Sequence, residues 1–467
     1  MKHLFFILYL FKEIISKLLF VHVHIRHGAR GSSKGGFLGS GKDYLNINWE
    51  TNSELTEIGI RQEYILGFNT RIKYKNFLSY YYNPKEILIY STFINRAIQS
   101  GYSFINGLYF PKNNFLTNEQ IKNSFPSNLL NKNIEKEIIK LGNLTIPNGI
   151  NIIPIHIFNM KDHDFLLFAE ISCKPVIKKR KEILKSNYIK NTVNNFQNKY
   201  KKKLDTFFNK TNINFLWDFD HIQDFCDNFI SDKIQQIDLS YFNQITKISF
   251  NELEKDCNEI FRINLEDYQL GNKDIFFMSQ TPVIKKLINY MEKRIEIEEG
   301  NLENNNLDYN SPKFIVYSAH DSSMSGVMLW MKELFDCKTI VPSFSSSLNF
   351  ELYKKDNNLK GNYDDYYIKY IINDEEILII SFLLFKEKSK KYFWSDKEIS
   401  HFCQFDIINK DIKEKEIKQY LLILCGLLAL FTCMLFYFIR LFFYYKNKSK
   451  NKKNREDKEL EDIFINK

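Results

Sequence analysis

The chain opens its patterned part with a compact apolar run, LLFVHVHI from Leu18 to Ile25, rich in β-branched residues and followed by Gly28. That composition and length predict a buried strand. The rhythm then changes to helical spacing, with Ile60, Tyr64, Gly67 and Arg71 in step and Thr56 as an N-cap, which predicts a helix from Glu57 to Tyr74. A second buried strand is expected at Ile87 to Tyr90, then a polar turn and a helix from about Asn95. Strand, helix, strand, helix is the order of a parallel α/β sheet.

From Asn113 to Asn306 the pattern becomes polar and rich in Lys and Asn, with helical patches at Lys178 to Phe207, Trp217 to Ile230 and Thr281 to Glu298. We read it as a large, mostly helical insert. The first style returns in KFIVYSAHDSSMSGVMLWM, which predicts a strand at Phe314 to Ser318, a loop AHD and a helix. SLNFELYKK and YIKYIIND look like closing antiparallel strands. The expected fold class is therefore α/β, with a central, mostly parallel sheet flanked by helices and the insert set into it.

Both ends carry membrane signals. Tyr420 to Ile439 holds no charged residue, which is about the length needed to cross a bilayer as a helix. The basic stretch KNKSKNKKNR, Lys446 to Arg455, marks the cytosolic flank, so residues 440–467 are expected as a cytosolic tail. MKHLFFILYLF has a positive start and a short apolar stretch, and residues 1–17 read as a signal peptide. Residues 18–410 would then be lumenal or extracellular. This topology accounts for much of the formal charge of +9 and removes the reason to invoke nucleic acid as a partner. It also places Cys173, Cys226, Cys257, Cys337 and Cys403 where disulfides form, enough for two bridges with one thiol left over. The sequons at Asn143 and Asn209 become candidate glycosylation sites.

The chemistry gathers at three predicted strand ends, which supply Arg26, His27 and Arg30, then Arg96, then His320 and Asp321. Guanidinium forks suit phosphate oxygens, and a helix opening near Asn95 adds backbone N–H groups and a positive dipole end. His27, an imidazole among guanidinium groups, should stay neutral and act as nucleophile, while Asp321 is the candidate acid for the departing alkoxide. His22 and His24 offer a rival metal site with His27, but on a strand they face the side opposite to His27 and are read as strand residues.

The segments RHGAR, LTEIGIRQEYILG, STFINRAIQSGYSFINGLYF and YSAHDSSM resemble, in order, the signatures of the histidine acid phosphatases, a branch of the phosphoglycerate-mutase-like fold. The resemblance runs from Leu18 to Phe405, and with one span and a short tail the architecture is similar to the lysosomal and prostatic type. It implies phosphorylation and hydrolysis at His27, phosphate binding by Arg26, Arg30, Arg96 and His320, and proton donation by Asp321. It implies small phosphate monoesters as substrates and no metal or organic cofactor; a phytase-like or lysophosphatidate phosphatase and a silent receptor-like member are the alternatives. It leaves the oligomeric state open, a homodimer among the options. Two positions depart from the pattern: Ser32 stands where the family usually has proline, and Ser347 where it tends to have cysteine. The second departure puts a Cys226 to Cys337 bridge in doubt and favours one between Cys173 and Cys403.

Overall fold

The computed structural model describes residues 16–32, 53–109, 115–124, 142–145, 150, 152–157, 166, 173–268, 273–301, 311–355 and 365–465. Residues 1–15, which carry most of the expected signal peptide, lie outside this set, as does most of the Gly- and Lys-rich loop after Ser32. Residues up to Ile399 form one compact unit and Ser400–Lys467 a second.

The first unit is built on a seven-stranded sheet in the order β3-β2-β4-β1-β5-β6-β7. The strands are β1 (Ser16–Arg26), β2 (Ile87–Ser91), β3 (His156–Ile157), β4 (Phe314–Ala319), β5 (Ser347–Lys355), β6 (Tyr366–Ile372) and β7 (Glu375–Ser381). β1 to β4 run parallel to one another, and β5 to β7 are antiparallel, so the sheet is half of each kind. β1 is the hinge between the halves, parallel to β4 on one side and antiparallel to β5 on the other. It starts two residues before the expected Leu18, because Ser16 and Lys17 pair with Lys355 and Lys354.

Helices α1 (Glu57–Lys73) and α2 (Asn95–Leu108) connect and cover the parallel strands. Thr56 caps α1 by accepting from the Gly59 N–H, as its sequence position predicts. The buried side of α1 is not its apolar one: Gly59, Glu63, Gly67, Thr70 and Arg71 face inward, while Ile60 and Tyr64 are exposed. The cause is close approach of backbones, since a Cβ on Gly67 would lie 1.9 Å from the Phe104 carbonyl oxygen, and one on Gly107 2.0 Å from that of Tyr64. Two glycines thus set how near α1 and α2 lie.

In the middle of the chain are α3 (Asn118–Asn123), α4 (Lys174–Ile183), α5 (Asn187–Thr211), α6 (Phe219–Ile234), α7 (Ser240–Thr246), α8 (Phe250–Ile263), a π turn at Asn264–Tyr268, and α9 (Lys273–Glu298). Helices α5 to α8 enclose their own core, including Phe196, Leu204, Phe207, Phe225, Phe229 and Phe242. Cys226 on α6 is bonded to Cys257 on α8 within it. α9 packs instead on the sheet, with Ile284, Leu287 and Met291 against Trp330 and Met331 of α10 (Asp321–Phe335). It runs through Pro282 and so begins eight residues before Thr281, where a helix start had been expected. The region also lends the sheet its edge strand β3, too short to leave a pattern. β7 too was not foreseen; it returns from β6 through Asn373 and Asp374, both at positive φ, a two-residue hairpin turn.

α11 (Phe382–Lys390) and α12 (Asp396–Cys403) follow β7. In the second unit, α13 (Phe405–Ile465) contains Lys418–Ser449, whose most apolar 18 residues have a mean hydropathy of 2.6, long and apolar enough to cross a membrane. The expected span at 420–439 lies inside it. Cys425 and Cys433 within that stretch, and the buried Cys337, are free thiols.

Candidate active site

The C-terminal ends of β1, β4 and β2 lie side by side, and the predicted reactive residues come from them and from the turns that follow. β1 ends at Arg26, and the His27 N–H then donates to the Ala319 carbonyl at the end of β4, 3.0 Å away. The turn Gly28 to Arg30 is pinned from below. Gly28 N–H donates to Ser100 Oγ of α2 at 3.1 Å, Ala29 N–H to Gln62 Oε1 of α1 at 2.9 Å, and Thr56 Oγ1 to the Ala29 carbonyl at 3.0 Å. A Cβ on Gly28 would sit 2.4 Å from the Gly59 oxygen, so the turn and the start of α1 touch backbone to backbone.

His27 is buried at the centre. Its Nδ1 lies 2.9 Å from the Gly28 carbonyl, and a carbonyl only accepts, so Nδ1 carries the proton and Nε2 the lone pair. Arg96, in the first turn of α2, donates its Nε–H to that Nε2 at 3.0 Å. The His27 pKa is held well below the ordinary histidine value, first by burial and then by Arg26, His320, Arg96 and Arg30. The ring is thereby favoured in its neutral form.

Arg26 and Arg30 stand on either side. Arg26 donates Nη1–H to the Pro342 carbonyl at 2.6 Å and pairs through Nη2 with Asp321 Oδ2 at 2.7 Å. Its guanidinium carbon lies 4.3 Å from the centre of the Phe344 ring, which is 5.7 Å from the His27 ring. Arg30 makes a two-pronged pair with Asp227 of α6. The Nε–H groups of Arg26 and Arg30 are buried and have no hydrogen-bond partner among the described residues, an arrangement that calls for an acceptor.

His320 and Asp321 begin α10. His320 Nε2 is 2.9 Å from Thr92 Oγ1, and its ring centre is 5.3 Å from that of His27. Burial and then Arg96 push its pKa down to about 3, against the opposing pull of Asp321. For Asp321, burial raises the pKa, but Arg26, His320, Arg30 and the Ser322 N–H outweigh it and hold the carboxyl below its usual value. The side chain keeps 32% exposure, against 11% for Arg26, so Asp321 faces the open side of the cluster.

All six sequence-selected residues are thus in one place. His22 and His24 are buried in β1 away from them; His24 Nε2 lies 3.0 Å from Ser323 Oγ, which in turn meets the backbone of His320. Sequence reasoning missed Thr92, Asp227, Phe344 and the pair Glu63–Ser345. Ser345, at φ 56°, donates its hydroxyl to Glu63 Oε1 at 2.8 Å and its N–H to the His27 carbonyl at 3.3 Å. PSFSSSLNFELY and RQEY were both visible as matching segments, but a resemblance of segments does not say which side chain points where.

The model of the histidine phosphatase superfamily, branch 2, matches residues 17–373. The chain belongs to that superfamily. Among curated relatives of this histidine phosphatase is the lysosomal acid phosphatase of Xenopus laevis, 24% identical over 356 residues, 74% of this chain and 68% of that protein. The testicular acid phosphatase of Mus musculus is 36% identical over 93 residues, a local match spanning 20% of this chain and 22% of that one. A phytase from Citrobacter braakii shares the fold at a TM-score of 0.52 and 13% identity, covering 83% of this chain and 99% of its own.

Proposed function

We propose that this histidine phosphatase is an acid phosphatase that hydrolyses small phosphate monoesters through a phosphohistidine at His27. The observation that carries the reading is the neutral imidazole, its Nδ1–H held by the Gly28 carbonyl and its Nε2 lone pair directed among three arginines. An ester dianion takes the guanidinium edges of Arg26 and Arg30, with His320 and Arg96 on its remaining oxygens. The Arg96 Nε–H, which donates to Nε2, turns to the phosphoryl group. Nε2 then attacks phosphorus in line, the P–O bond to the alcohol breaks, and the Asp321 carboxyl gives its proton to the leaving oxygen. Water attacks the phosphohistidine next; the Asp321 carboxylate accepts its proton, inorganic phosphate leaves and the imidazole is restored.

The acid preference follows from the ion pair. Asp321 is ionised against Arg26, and a bound phosphate both claims Arg26 and brings negative charge, which raises the proton affinity of Asp321. The name of the Xenopus laevis relative, the oxidised state of Cys173, Cys226, Cys257 and Cys403, and the apolar α13 support a lumenal or extracellular catalytic unit on a single-pass membrane anchor. Asn143 and Asn209 are exposed, as glycan acceptors in such a compartment need to be. Cys226 is joined to Cys257, and Cys173 and Cys403 are disulfide-bonded as well.

The test is hydrolysis of a chromogenic phosphomonoester by the detergent-solubilised full chain, with chelator, from about pH 4 to about pH 8, beside His27→Ala. Activity on the acid side that is lost in the variant is expected. Folded wild type without His27-dependent turnover would overturn the proposal.

A further inference from the structure

Arg30 meets the reacting centre with one end already taken. Asp227 receives its Nη1–H at 3.0 Å and Nη2–H at 2.8 Å, and the Gly31 carbonyl receives the other Nη1–H at 2.9 Å. A guanidinium has five N–H bonds. The two left over, on Nε and Nη2, share one edge, and the Nε–H is buried without a hydrogen-bond partner among the described residues. A phosphoryl oxygen can therefore bind Arg30 along that edge while Asp227 stays in place.

Asp227 is also fixed. It follows Cys226, which is bonded to Cys257, and precedes Asn228, whose Oδ1 accepts from Ser32 Oγ at 2.6 Å. Farther along α6, Gln235 Nε2 donates to Thr56 Oγ1 at 2.8 Å, so the helix is tied to the N-cap of α1. The carboxylate cannot swing out to make room. Its charge reaches Arg26 and Arg96 as well as Arg30. Among the described residues it and Asp321 set two carboxylates against the three guanidinium groups of Arg26, Arg30 and Arg96.

We infer that Asp227 is a specificity-determining residue, a carboxylate supplied by the helical insert that selects esters with an uncharged or cationic leaving group and disfavours those bearing further phosphates. The inference rests on the phosphatase reading above. It predicts that the enzyme prefers phosphoethanolamine and glycerol 2-phosphate to myo-inositol hexakisphosphate, and that the preference resides in this one charge.

The experiment compares kcat/KM for these three esters with the full chain, its Asp227→Asn variant and its Asp227→Glu variant. Asp227→Asn keeps a hydrogen-bond acceptor for Arg30 and removes the charge. It should raise the ratio of hexakisphosphate to glycerol 2-phosphate by on the order of tenfold, the size of one like-charge interaction across about 12 Å at an effective dielectric near 20. Asp227→Glu should leave that ratio near the wild-type value. If Asp227→Asn slows all three esters alike, Asp227 only holds Arg30 and the inference is wrong. Should the variant fail to fold, wild type decides: hexakisphosphate turned over as efficiently as glycerol 2-phosphate rejects the inference. Absence of His27-dependent turnover on every ester is the failure of the phosphatase reading and takes this role with it, whereas an active enzyme with an unmoved ratio rejects the role of Asp227 alone.

Discussion

The ends of β1, β2 and β4 and the face of α6 meet at the same arginines but are held by different means. His27 and its neighbours sit on sheet ends, in turns pinned by Ser100, Gln62 and Thr56, with backbones in contact at Gly28 and Gly59. Asp227 sits on a helix with its own aromatic core and its own disulfide, joined to the sheet side by contacts such as Ser32–Asn228 and Gln235–Thr56. On the proposed mechanism the sheet positions the groups that take part in bond breaking, where fractions of an ångström matter. The insert supplies the carboxylate of Asp227 against Arg30, on a helix separate from the turn that holds His27.

The largest effect that bears on this division is at the sheet. His27→Ala should lower kcat/KM by on the order of 10⁴ or more while the circular dichroism spectrum is unchanged. A small loss would show that the nucleophile lies elsewhere and erase the contrast. Next comes Asp321→Asn, expected to cost roughly 10² to 10⁴ in kcat for alkyl phosphates. The loss should be much smaller for p-nitrophenyl phosphate, whose leaving group needs no proton; equal losses on both would rule out the donor role.

On the insert side, replacing Cys226 and Cys257 together by Ser opens a loop closed over 31 residues, worth about 3 to 4 kcal/mol in chain entropy. Denaturant melts should show that loss, with activity falling only as the population of folded insert falls. Full stability with reduced turnover would instead mean that the bridge acts directly on the site.

A further effect, on stability alone, concerns Glu63, fully buried beneath the turn and pushed up to about 8 by burial, against its hydrogen bond from Ser345. The unfolded carboxyl ionises near 4.5, so between that pH and 8 the folded state keeps a proton the unfolded chain has lost. Stability from this group is therefore complete below 4.5, declines as pH rises to about 8 and is flat above it. Glu63→Gln should flatten the decline of melting temperature across that window; a parallel curve for the variant would show that Glu63 is not protonated in the fold.

How much of this was readable in the sequence depended on whether a local pattern had a local cause. Strands β1, β2, β4 and β5 are buried on both faces or alternate cleanly, and their apolar runs gave them away. The six residues that cluster at the strand ends were placed in the same way, because each follows such a run. β3 was invisible because two residues carry no period, and the start of α9 because Pro282 reads as a boundary although the helix continues through it. α1 was placed correctly, yet its exposed Ile60 and buried Glu63 invert the usual rule, since backbone contact at Gly67 and Gly107 decides which side faces in. Asp227 could not have been found at all. It lies far from Arg30 in sequence, and only packing of the insert brings the two together.

The place of β1 in the sheet also governs how the protein is made. Its two neighbours are β4, roughly 300 residues later in synthesis, and β5, later still. At about 5 to 20 residues per second, the strand that leads into His27 waits roughly a quarter of a minute to a minute for its first partner. Throughout that interval LLFVHVHI, an apolar segment of high β-propensity, has none of its own sheet to pair with. Newly made chains must therefore be shielded by something other than themselves, and yield in cells should be set by that shelter more than by the stability of the finished fold.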